Sequence, residues 1–159
     1  MKLFLLRHAE ADTTPIDPLR QLTSFGQSQI LALVQQLDIS EFAKVAAIEH
    51  SPFTRACETA ELFLNASKLP IPTRPCEYIK PDDDPRWTAR KVAESETDRL
   101  LVGHNPHFEQ LASLLLVQNR AQLQVAFKLS ACMALERYSA AAPYGYWQLL
   151  WFTAPQQPR

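Results

Sequence analysis

The stretch Lys2-Leu3-Phe4-Leu5-Leu6-Arg7-His8-Ala9-Glu10-Ala11 decides the reading of this chain. Its apolar run is far shorter than a membrane span and stops abruptly at an arginine and a histidine. A short, continuous apolar run reads as a strand buried on both faces, as in a parallel sheet. Ligands of open α/β sheets sit just outside the carboxyl ends of the strands. Arg7 and His8 therefore fall where a reacting group belongs. A guanidinium that grips phosphate beside an imidazole that can attack it is a minimal phosphoryl-transfer site.

The pattern occurs twice more. Val45-Ala46-Ala47-Ile48 reads as a strand followed by Ser51-Pro52-Phe53-Thr54-Arg55, and Leu100-Leu101-Val102-Gly103 as another followed by His104-Asn105-Pro106. Each apolar run delivers a cation or an imidazole. Each of these two segments then predicts a helix, with Ser51 or Asn105 as N-cap and Pro52 or Pro106 at the first helical position. Helix N-termini favour anions through free amide N–H groups and the helix dipole.

These residues carry a resemblance. Leu-Arg-His-Ala at 6–9, Ser-Pro-Phe-x-Arg-Ala-x-x-Thr from Ser51 and Val-Gly-His-Asn-Pro from Val102 resemble the histidine phosphatase superfamily. The small size, and the segment Pro18-Leu19-Arg20-Gln21-Leu22-Thr23-Ser24-Phe25-Gly26-Gln27-Ser28-Gln29, resemble more narrowly its SixA-type phosphohistidine phosphatases. The likeness runs from Leu3 to about Trp147. Ala9 stands where many members have glycine.

At 159 residues the chain fits one domain, 1–159, with enough length for a full core. A formal net charge of −1 and the lack of a basic run argue against nucleic acid or an anionic membrane as partner. Cys57, Cys76 and Cys132 are odd in number and widely spaced, without metal-ligand spacing, and read as free thiols in a reducing cytoplasm. The N-terminal run is too short and too soon broken by charge for a signal peptide.

Along the chain, Asp12 to Arg20 reads as a loop over the edge of the site. Thr23 caps a helix that buries Ile30, Leu33, Val34 and Leu37. Phe53, Ala56, Cys57, Ala60, Phe63 and Leu64 form the stripe of a second helix. Proline-rich Leu69–Pro75 allows only a short edge strand. A weak helix follows Asp84, and Phe108, Leu111, Ala112 and Leu115 mark a fourth. Strands near Ala131–Arg137 and Trp147–Phe152 close the chain, joined by a turn containing Pro143 and Gly145. The expected fold is α/β: a three-layer sandwich with a mostly parallel sheet, an antiparallel edge and helices on both faces.

The chemistry assigns roles. His8 is the nucleophile, kept neutral near pH 7 by neighbouring arginines. Arg7 and Arg55 clamp the phosphoryl group, and His104 donates to its oxygens in the transition state. His107 completes a His-x-x-His, but no carboxylate or cysteine at matching spacing makes a metal site, and no cofactor is expected. His50 is an edge-of-site or structural residue. The resemblance implies that Arg20 also binds substrate. It also implies a carboxylate acid after the third strand in larger members. Here Glu77, Asp82, Asp83, Asp84 and Glu10 are all open candidates, or none acts, since imidazole leaves more readily than an alkoxide. Connections that look too short for a lid predict an open site.

The resemblance implies a metal-independent phosphatase of phosphohistidine in proteins, for example a phosphotransfer domain, acting through a phosphohistidine enzyme intermediate. The alternatives are a small-molecule phosphomonoesterase or mutase on the same scaffold, or a non-catalytic phosphohistidine-binding domain.

Overall fold

A computed structural model describes residues 1–156; the last three of the 159 expected in the domain lie outside the described residues. Strands β1 (Lys2–Arg7), β2 (Val45–His50), β3 (Thr73–Pro75), β4 (Asp98–Gly103), β5 (Cys132–Ser139) and β6 (Tyr146–Thr153) form one sheet in the order β3-β2-β4-β1-β5-β6. The first four run parallel; β5 and β6 close one side antiparallel. Helices α1 (Ser24–Gln36), α2 (Thr54–Ser67), α3 (Pro85–Ala93) and α4 (His107–Val117) cover the two faces. The expected α/β architecture, with a mostly parallel sheet and an antiparallel edge, is the one observed.

β1 shows why. Leu3, Phe4, Leu5 and Leu6 are all fully buried. Successive side chains point to opposite faces, so Leu3 and Leu5 join one core and Phe4 and Leu6 the other. The first core packs α3 and α4 through Ala89, Val92, Phe108 and Leu111; the second packs α1 and α2 through Ile30, Leu33, Ala56 and Phe63. At roughly 1.5–3 kcal/mol for each large apolar side chain buried, this one strand anchors both layers.

Thr23 caps α1 as the sequence predicts, its Oγ1 accepting from Gly26 N at 2.9 Å. Asp84 caps α3, accepting from Arg86 N at 3.0 Å. The other two caps differ from expectation. α2 starts at Thr54, two residues late, with Phe53 in the N-cap position. Ser51 Oγ instead accepts from Phe53 N at 3.3 Å, a local turn that competes with helix. α4 starts at His107, one residue late, behind Pro106. Asn105 is drawn away, its Nδ2 donating to Phe127 O at 2.9 Å and to Glu109 Oε1 at 2.7 Å. At α2 a local turn replaces the cap, and at α4 a distant partner, Phe127 O, draws the cap residue away. No helix among the described residues is long and apolar enough to cross a membrane.

Candidate active site

The register of the sheet builds the site. β2, β4 and β1 are neighbours, and Arg7 pairs with Gly103 across the β1–β4 ladder. The chain leaves both strands together, His8 N donating to Gly103 O at 2.9 Å, so His8 and His104 emerge side by side. Their ring centroids lie 5.0 Å apart. β2 ends beside them, with Ser51 N bound to Val102 O at 2.9 Å, and the following turn delivers Arg55 in the first turn of α2. Arg55 Nε donates to His8 Nε2 at 3.2 Å. Four residues picked out by the sequence, Arg7, His8, Arg55 and His104, thus share one end of the sheet.

Small residues and one hydroxyl fix this geometry. A Cβ on Gly103 would sit 2.7 Å from the Phe108 ring, so only glycine lets the chain pass there before His104. Thr59 Oγ1 donates to Arg55 O at 2.6 Å and accepts from Ala9 N at 3.1 Å. It ties the turn after His8 to the helix that carries Arg55, which explains the threonine in the second motif. A Cβ on Gly26 would approach Glu10 O to 2.1 Å, so α1 can pack against the Ala9–Glu10 turn only through glycine.

His8 has a defined tautomer. Its Nδ1 lies 2.7 Å from Ala9 O, a contact that requires Nδ1–H to donate. Nε2 therefore carries the lone pair. Burial, with the nearby charges of Arg55, Arg7 and Arg20, pulls the His8 pKa down to about 3, against one opposing hydrogen bond to Ala9 O. Burial, with the neighbouring His8, Arg55, His107 and Arg7, pulls His104 down to about 2. Both rings are neutral at pH 7. Burial also lowers Arg7 and Arg55, which nevertheless stay charged.

Among the described residues, four buried side-chain nitrogen or oxygen atoms have no hydrogen-bond partner: Arg7 Nε, both ring nitrogens of His104, and Asn105 Oδ1. Each such atom costs on the order of 1–3 kcal/mol when left unmatched. All belong to residues at the ends of β1 and β4. Two of them, Arg7 Nε and one ring nitrogen of the neutral His104, are donors that suit an anionic, oxygen-rich ligand. Arg7 Nη1 is meanwhile oriented by Phe127 O at 2.7 Å, and the Phe53 ring lies 5.2 Å from His104 and 5.1 Å from the Arg55 guanidinium carbon. Phe53, Asn105 and Phe127 were not identified as site residues from sequence. Phe53 and Asn105 lie inside the quoted motifs and could have been; Phe127 acts through its backbone carbonyl and leaves no sequence signal.

The Asp12–Arg20 segment does lie over the site. Its short 3-10 turn, Asp17–Leu19, places Asp17 against Arg55: Arg55 Nη1 donates to Asp17 O at 2.9 Å and Nη2 to Asp17 Oδ2 at 3.3 Å. Arg20 Nη1 reaches the other carboxylate oxygen at 3.3 Å. Burial of Asp17 is slight, and the two arginines win, holding its pKa below the usual carboxylate range. Arg20 thus approaches the site through Asp17, a residue the sequence reading passed over. The expected open site is corrected as well. His8 is 6% exposed, Arg55 4% and His104 1%.

Four of the five acid candidates are bound elsewhere. Glu10 Oε1 accepts from Thr23 Oγ1 at 2.8 Å at the start of α1. Glu77 pairs with Lys80, Asp83 Oδ2 accepts from Lys80 N, and Asp84 holds Arg86 and the α3 cap. Asp82 has no site contact. His107 bridges Asp83 O at 2.9 Å and Thr88 Oγ1 at 3.0 Å, linking α4 to the loop before α3. His50 is buried, with Nδ1 bonded to Ser51 O. Among the described residues no group of three His, Cys, Asp or Glu comes together as metal ligands.

Residues 3–76 match the model of the histidine phosphatase superfamily, branch 1. That match spans a little under half of the chain. The matched residues contain Arg7, His8 and Arg55; His104 lies beyond them, and the sheet brings it in. No curated protein matches significantly in sequence. Solved structures match throughout. The protein histidine phosphatase SixA complexed with tungstate aligns with a TM-score of 0.83 and 21% identity, over 98% of this chain and 97% of that one. A phosphoserine phosphatase from Entamoeba histolytica in complex with 3-phosphoglyceric acid aligns at 0.65 and 16%, over 98% of each chain. A mycobacterial glucosyl-3-phosphoglycerate phosphatase complexed with VO3 aligns at 0.69 and 16%, over 96% of this chain and 99% of that one. At these identities the likeness is one of fold.

Proposed function

We propose that this protein is a phosphatase that passes the phosphoryl group through His8, and that its substrate is phosphohistidine on a protein. One observation carries the reading: a neutral His8 whose Nδ1–H is spent on Ala9 O at 2.7 Å, leaving the Nε2 lone pair beside Arg55 and His104. In the first step Arg55 Nε releases that lone pair and turns to a phosphoryl oxygen. Nε2 forms the bond to phosphorus as the bond to the leaving group breaks, and the leaving group takes up a proton from solvent. Arg7 and Arg55 hold the oxygens, and His104 donates to one of them as charge grows. In the second step water attacks phosphorus and gives up one proton to solvent, the P–Nε2 bond breaks, and phosphate leaves with the neutral imidazole restored. The arginines supply the positive charge that metal ions give other phosphoryl-transfer enzymes.

The substrate class rests on two supports. The fold matches SixA better than it matches the two ester phosphatases, 0.83 against 0.65 and 0.69. Among the described residues none of the five acid candidates hydrogen-bonds to Arg7, His8, Arg55 or His104, so none is held in place to protonate an alkoxide, a demand that a leaving imidazole relaxes. The low exposure of His8 favours the rival, a phosphatase of small esters. Brief mixing with labelled substrate should trap acid-labile, base-stable phosphate on wild type and none on His8→Ala. Substantial turnover by His8→Ala would overturn the mechanism. A kcat/KM at least tenfold higher for a sugar phosphate than for a phosphohistidine protein would overturn the substrate class, a margin of about 1.4 kcal/mol.

A further inference from the structure

Asp17 is an anion already seated on two of the arginines assigned to phosphate. Its carboxylate spans Arg20 and Arg55 at 3.3 Å each, and its carbonyl takes a third guanidinium N–H at 2.9 Å. Three of the five N–H donors of Arg55 are thereby engaged, by Asp17 on both Nη atoms and by His8 on Nε. A phosphoryl group that is to take both Nη atoms as a fork must displace Asp17.

The segment carrying Asp17 is built to give way. Residues 13–19 are exposed without exception, and the 3-10 turn buries no side chain. It is tied to the body by the Asp17 contacts, and its base is closed by the bonds from Arg20 to Asp12 O and Ala11 O and from Asp12 N to Gln21 O. A segment with no buried apolar contact opens locally at low cost. Yet it displays two large apolar side chains, Ile16 at 60% and Leu19 at 57% exposure, on either side of Asp17. Each lies within two residues of Asp17, so within about 7 Å along the backbone. Any macromolecule that inserts a phosphorylated side chain here must lie on them.

We infer that this turn reads the carrier of the phosphoryl group: a protein surface with apolar residues beside its phosphohistidine seats on Ile16 and Leu19 and draws Asp17 off the arginines. Small phosphate esters have nothing to place on the apolar pair and must displace Asp17 unaided. Nucleic acid fits poorly, because Asp12 and Asp17 face it and residues 9–19 hold no cation. This rests on the phosphatase reading for the use of the site, and it explains how a covered site can serve a protein substrate.

The test separates the two. On the non-reacting His8→Ala background, Ile16→Ser with Leu19→Ser should weaken binding of a phosphotransfer protein, phosphorylated on histidine with phosphoramidate, at least tenfold. The same pair should alter binding of inorganic phosphate less than twofold. Asp17→Asn in the wild-type background should tighten inorganic phosphate at least fivefold by calorimetry and raise kcat/KM for an aryl phosphate. Loss of protein and phosphate binding together, or of neither, would overturn the docking surface. Weaker phosphate binding by Asp17→Asn would show a carboxylate that orients the arginines, and the inference would fall. Failure of wild type to turn over any phosphate would remove the phosphatase reading alone, because both binding measurements stand without turnover.

Discussion

Acid should unfold this protein through its histidines before its carboxylates respond. His8 and His104 are buried and neutral, with pKa values near 3 and 2, against about 6.5 in an unfolded chain. Between those limits the unfolded state binds protons that the folded state refuses, so stability falls as pH falls below 6.5. From pH 6.5 to pH 5 each such imidazole removes about 1.6 kcal/mol, and the two together about 3 kcal/mol. His107, also lowered by burial, acts in the same direction. Against a typical 5–15 kcal/mol of total stability this is a large share. The assay is urea unfolding at half-unit steps over that range, without phosphate or other oxyanions. His104→Gln should flatten the slope by about 1.6 kcal/mol over the interval, whatever it does to stability at pH 7. A slope equal to that of wild type would show that His104 titrates normally and that its burial is not felt as charge exclusion.

Arg55→Ala and His104→Ala should each lower kcat by roughly a hundredfold or more, the scale of losing one transition-state donor, as steady-state rates on an aryl phosphate would show. Turnover should survive exhaustive treatment with EDTA, and tungstate or vanadate should inhibit competitively; activity lost to chelation and restored by a divalent ion would reverse this. Gly26→Ala should cost on the order of 1–3 kcal/mol in urea unfolding, because its Cβ would fall 2.1 Å from Glu10 O, a backbone atom that cannot swing aside.

The sequence carried the fold well where burial and local chemistry agree. The unbroken apolar run of β1 and the stripes of α1, α2 and α4 report positions buried in both context and pattern. It carried the candidate site well where strand ends deliver it, because adjacent parallel strands place Arg7, His8, Ser51 and His104 at one edge. It failed at the starts of α2 and α4. Ser51 and Asn105 are good caps in isolation, but Phe53 is held by His104 and Arg55, and Asn105 by Phe127 O and Glu109. It missed Asp17 for a similar reason. An aspartate in a proline-rich loop reads as solvated, and only the fold-back of that loop onto α2 gives it a partner.

The strand order has a consequence for synthesis. β1 and β2 do not pair with each other; β4, made about fifty residues after β2, lies between them. The first 76 residues can form helices but cannot lay their two long strands side by side as in the finished sheet. β1 must wait on the ribosome without a partner strand, and β2 with only the three-residue β3 beside it, for roughly several seconds at ordinary rates of translation. Exposed strands of this kind invite association with other chains, so this protein calls for chaperone protection during that interval. The delay also means that a truncated product ending before Asp98 brings no His104 to His8. A nascent or prematurely terminated chain therefore lacks the assembled site.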